Sequence, residues 1–67
     1  MSRLDQALQW LAGEISASPE EFRREFRQGA DDLRDGLKAQ GLAIHDKRED
    51  RYGVSRAGFK KLEAERG

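Results

Sequence analysis

Cysteine is absent from these 67 residues, so neither a disulfide framework nor a thiolate metal site can form. Long apolar runs are missing as well. Nothing approaches the roughly 18 residues needed to span a bilayer, and no signal-peptide core follows the opening Met-Ser-Arg, so a cytoplasmic location is expected. Histidine occurs once, which leaves any nucleophilic pair to be built on His45 at a strand end with no evident orienting partner. His45 reads as an exposed strand residue, and enzyme activity is not expected. The seven glycines are scattered as caps and breaks, without a phosphate cradle. Asp46, Glu49 and Asp50 lack the glycine and ligand register of a calcium loop, so neither a metal nor a cofactor is expected. An excess of one charge is missing too: 13 basic residues balance 13 acidic ones. A dedicated nucleic-acid binder usually carries a basic excess, so any electrostatic footprint must come from local segregation.

What is present suits a small folded unit. The chain is 36% hydrophobic and 39% charged, apolar enough for a core and polar enough for a hydrated surface. Residues 1–67 read as a single domain, and a chain this short is marginal by itself, which leaves a homodimer open. Ser2 sits as an N-cap with Asp5 three residues on, and Leu4, Leu8, Leu11 and Ile15 recur at helical spacing. Trp10 lies off the centre of that stripe, placed either to close over the side of the core or to stand exposed as an anchor for a partner, and the first is expected in a chain this short of apolar residues. Gly13 ends or loosens this first helix, and 14–17 suit a brief extended segment. Ser18-Pro19-Glu20-Glu21 is a strong helix start, with Pro at the first helical position and two acids at the positive end of the dipole. Phe22 and Phe26 stand one turn apart behind it. Gln28-Gly29 breaks the pattern and Leu33 and Leu37 resume it up to Gly41. Two helices with a tight turn are expected, although the shared phase of Phe22, Phe26, Ala30, Leu33 and Leu37 also suits one kinked helix.

The last third holds the most specific stretch, Tyr52-Gly-Val-Ser-Arg-Ala-Gly-Phe-Lys-Lys-Leu62. Tyr52 and Val54 alternate as a half-buried strand, and Ser55 precedes a run whose apolar members Phe59 and Leu62 are three apart, so it suits an N-cap. Gly58 costs a helix about 1 kcal/mol relative to Ala, which points to close backbone approach by a neighbour. Together with Gly41-Leu42-Ala43-Ile44 and a charged gap, the pattern carried by Tyr52, Val54, Ser55, Gly58 and Leu62 resembles the end of winged helix-turn-helix regulators. That resemblance implies an α+β winged helix, a three-helix bundle with a two- or three-stranded wing and a closing C-terminal helix. Helices are then expected near 2–13, 19–27, 30–40 and 56–65, with a hairpin at 42–54. The expected core is Leu4, Leu8, Leu11, Ile15, Phe22, Phe26, Leu33, Leu37, Leu42, Ile44, Tyr52, Val54, Phe59 and Leu62, with Leu42 and Ile44 on one strand face.

The resemblance also implies double-stranded DNA as partner, read by the helix after the turn and touched by the wing. On the matching positions Arg34 and Lys38 lie on the helix, facing away from Leu33 and Leu37. Arg27 and Gln28 are donors near the turn, and Lys47, Arg48 and Arg51 lie on the wing. Asp31, Asp32 and Asp35 share the helix with those cations. As solvated pairs, Asp31 with Arg34 and Asp35 with Lys38 each contribute about 0.2–0.5 kcal/mol. This keeps open a second expectation, a winged-helix protein-interaction or assembly module that does not bind DNA.

Overall fold

Two serine caps set the first half of the chain. The computed structural model describes residues 2–66. Ser2, in extended conformation, accepts a hydrogen bond from the Asp5 amide at 3.1 Å and starts α1 (Arg3–Glu14). Ser18 does the same for the Glu21 amide at 3.3 Å and starts α2 (Pro19–Glu25), with Pro19 at its first position. Between them lies a two-residue strand, β1 (Ser16–Ala17). Phe26 leaves helical geometry and Gly29 adopts φ +71°, so the chain turns and restarts as α3 (Ala30–Ala39). The left-handed backbone at Gly29 decides for two helices and against one kinked helix.

β2 (Ala43–Asp46) and β3 (Arg51–Val54) form the expected hairpin, and α4 (Arg56–Arg66) follows directly. The result is a small α+β domain of four helices and a three-stranded antiparallel sheet in the order β1-β3-β2. Ser55 joins sheet to helix: its hydroxyl accepts from the Gly58 amide at 3.0 Å and donates to the Gly41 carbonyl. A Cβ on Gly58 would collide with the Leu42 carbonyl oxygen and lie 2.7 Å from a Val54 methyl. The close approach expected at Gly58 is therefore with the root of the hairpin.

The core lies between the sheet and helices α1, α2 and α3. Phe22, Leu8, Leu11 and Leu37 are fully buried, and removing such a side chain from water contributes about 1.5–3 kcal/mol. Trp10 closes over the side as expected, edge-on to Phe22 and Phe26 with ring centroids 5.0 and 5.5 Å apart. Leu4, Phe26, Val54 and Leu62 are partly buried against this core.

Three expected core residues are exposed. Ile15 is 84% exposed because α1 runs on to Glu14, one residue past Gly13, and the chain reverses into β1 at Ile15 itself with φ +71°. Ile44 is 62% exposed because Ala43 pairs with Val54 and His45 with Tyr52, which puts Ala43 and His45, not Ile44, on the core-facing side. Leu42 is buried but lies ahead of β2, its amide donating to the Leu37 carbonyl. A one-residue difference in register exchanges the faces of a strand. Phe59 is half exposed because α4 presses Gly58 against Leu42 and Val54, which turns the next side chain off the core.

Candidate nucleic-acid interface

Arg34 departs most from expectation. It follows Ala30 by four residues and precedes Leu37 by three, and since Ala30 is buried along with Leu33 and Leu37, Arg34 borders the inner stripe of α3. Its guanidinium lies over the Tyr52 ring at 5.6 Å, and the side chain is only 14% exposed. Nη1 pairs with Asp31 Oδ1 at 3.1 Å and Nη2 with Asp35 at 3.6 Å, while the buried Nε has no partner. Asp31 is also held by Arg23 at 3.2 Å. The expected outward pair of Arg34 and Lys38 is thus divided, because Lys38 is exposed and Arg34 is not.

Arg51 is likewise engaged within the fold. Its Nε donates to Ser16 Oγ at 2.9 Å, its Nη2 to the Ser16 carbonyl at 3.0 Å, and its Nη1 pairs with Glu21 at 3.1 Å. One guanidinium therefore ties β3 to β1 and to the first turn of α2. The geometry corrects the placement of Arg51 as a free cation of the hairpin.

At the far end of the hairpin, residues 47–50 form a turn in which Asp46 Oδ1 accepts from the Arg48 amide at 3.0 Å and Asp50 takes φ +53°. Lys47 and Arg48 are exposed there. His45 is not the exposed residue the sequence suggested. It stacks on Tyr52 at 4.4 Å, and its Nε2 lies 2.9 Å from Asp50 Oδ1, so it pins the turn to the sheet. Tyr52 is packed by His45, by Arg34 and, edge-on at 6.0 Å, by Phe22. Only Arg34's position four residues after Ala30 signals this cluster in the sequence.

Arg27 and Gln28 sit exposed in the turn between α2 and α3, where the Gln28 carbonyl accepts from Arg3 at 2.6 Å. Among the described residues, no carboxylate lies within ion-pair distance of Arg27, Lys38, Lys47 or Arg48. Asp32 and Glu49 lie exposed in the same segments. A shallow groove of about 460 Å³ runs between α2, α3 and the hairpin, lined by Pro19, Arg23, Arg34, Glu49, Asp50 and Tyr52. Its walls carry both signs of charge, which fits no single ionic ligand. Among the described residues no group of three or more His, Asp or Glu side chains is placed to hold a metal, and no helix is long and apolar enough to cross a membrane.

In the first turn of α1, partial burial works to raise the Asp5 carboxyl, but the Ser2 hydroxyl, the Lys61 ammonium and the Ser2 amide outweigh it and hold it below its ordinary value. Lys61 on α4 reaches Asp5 at 3.7 Å. Comparison with protein-family models, with curated proteins and with solved structures finds no match to this chain.

Proposed function

We propose that this chain is a winged helix-turn-helix domain that binds double-stranded DNA as a small cytoplasmic regulator of transcription. In this reading α2 and α3 are the helix-turn-helix pair, the β2–β3 hairpin is the wing and α4 is the closing helix. The order of elements and the β1-β3-β2 sheet support it. The observation that carries it is the sorting of the cations. Internal ion pairs hold Asp31 and Asp35 on α3 along with Arg23 and Arg34, while Arg27, Lys38, Lys47 and Arg48 stay free at the turn, on α3 and at the hairpin tip.

The contacts then divide by position. Lys38 on α3, with Arg27 and Gln28 at the turn, meets the groove and its flanking phosphates, and Lys47 and Arg48 meet the backbone from the wing. Arg34 and Arg51 hold the scaffold that presents them. Fluorescence titration of a labelled duplex at two salt concentrations tests this. Four phosphate contacts give a log-log slope of about −3.6, or roughly 100-fold weaker binding at 200 than at 50 mM salt. Absence of salt-sensitive binding at micromolar protein overturns the reading.

A second reading, a protein-interaction or assembly module, is favoured by the internal engagement of Arg34 and Arg51 within a chain of zero net charge. Asp31→Asn with Asp32→Asn separates the two. Removing these carboxylates strengthens nonspecific duplex binding in the first reading and leaves a chain without DNA affinity unchanged in the second.

A further inference from the structure

A groove of about 600 Å³ lies between α1 and α4. Its floor on α1 is Ala12 and Gly13, and a Cβ on Gly13 would meet nothing within 4 Å, so the floor is open. Its wall on α4 is Phe59, Leu62 and Glu63. Half of the Phe59 surface lies in water, a large loss of burial for a chain with so few apolar residues.

The charges along α4 say what covers this face. Arg56, Phe59 and Glu63 recur at intervals of three and four, so they share one helix face, and all three are exposed. Along α4 Arg56 and Lys60 precede Glu63, while Lys61 is already paired with Asp5 and Glu65, and Arg66 ends the helix. When two such helices pair antiparallel about a two-fold axis near Phe59, Arg56 of each copy faces Glu63 of the other, and the phenyl rings meet at the axis. A patch that is its own electrostatic complement is what an isologous interface requires.

We infer that the α1–α4 groove is a homodimer interface, in which a second copy of this chain packs its Phe59 against Ala12, Gly13 and Phe59 of the first and closes two Arg56–Glu63 ion pairs. The inference stands apart from the DNA reading, since a dimer that ignores DNA satisfies it and a monomer that binds DNA overturns it.

Sedimentation equilibrium on the full chain tests it. The wild type is expected to move from the 7.6 kDa monomer to twice that mass with micromolar affinity. Phe59→Ser weakens the dimer about 30-fold or more, with the helical circular dichroism of the monomer kept, because Phe59 contributes little to the core. Arg56→Glu and Glu63→Arg each weaken it about 5- to 10-fold, and the double variant, with the pair reversed, returns to within about 3-fold of wild type. A wild-type chain that stays monomeric up to its solubility limit overturns the inference. So does a dimer indifferent to Phe59→Ser, or a double variant no tighter than the two single variants combined.

Discussion

At the start of β3 Arg51 donates twice to Ser16 and pairs with Glu21, whereas three residues earlier, in the turn, only the backbone amide of Arg48 is engaged, by Asp46. The same contrast recurs on α3, where Arg34 lies over Tyr52 and Lys38, one turn on, stands in solvent. Chemically similar cations four or fewer residues apart thus serve the fold in one place and stand in solvent in the other. The partners within reach decide which: the Tyr52 ring, Asp31 and Asp35 for Arg34, and Ser16 and Glu21 for Arg51. A guanidinium that reaches such partners gains charge-assisted bonds in a partly desolvated site, while a cation beyond their reach keeps its hydration.

Mutations in β3 and at the tip sharpen this contrast. Tyr52→Ala removes the ring that Phe22, His45 and Arg34 all contact, and it is expected to cost about 3–5 kcal/mol in urea denaturation. Lys47→Ala, at the tip, should change stability by less than about 0.5 kcal/mol. Gly58→Ala tests the packing of α4 against the root by the sign of its effect. Helix propensity alone predicts a gain of about 1 kcal/mol, but a methyl directed at the Leu42 carbonyl predicts a loss of about 1–3 kcal/mol. A stabilised Gly58→Ala would contradict that packing.

Arg34→Ala and Arg51→Ala come next, each expected to cost about 1–2 kcal/mol, since each removes charge-assisted bonds to side chains that remain. Lys38→Ala and Arg48→Ala are expected to be neutral within about 0.5 kcal/mol in the same assay. Equal effects across these four variants would erase the distinction between scaffold and free cations.

A pH-dependent effect is expected at Asp5. Its folded pKa lies below the ordinary 3.8, so its contribution is complete above that value and is lost as the pH falls through the folded pKa. Stability measured against pH should therefore decline below about 3.8, and Asp5→Asn should remove part of that decline.

How much of this was legible in the sequence depended on the range of the interaction. The three serine caps act within three residues, and Ser2, Ser18 and Ser55 all make the bonds their positions suggested. The turn at Gly29 and the tight packing at Gly58 were marked by the glycines themselves. Leu42-Ala-Ile-His45 alternates in size, and size alone favours Leu42 and Ile44 as the inner residues. Pairing with β3 instead turns Ala43 and His45 inward, and that pairing lies beyond any local window. Arg51 reaches Ser16 and Glu21 across the fold, and no local spacing encodes that. For the candidate DNA contacts the sequence offers only cations, with Gln28, grouped by segment. It could not separate Arg34 from Lys38 without Tyr52 in place.

The salt dependence of duplex binding, compared between two variants, tests the central division most directly. Arg48→Ala is expected to reduce the log-log salt slope by about 1 with no change in stability, and Arg34→Ala to lower stability while leaving the slope of the folded fraction unchanged. Loss of slope with Arg34→Ala and none with Arg48→Ala would contradict the assignment of scaffold and contact residues.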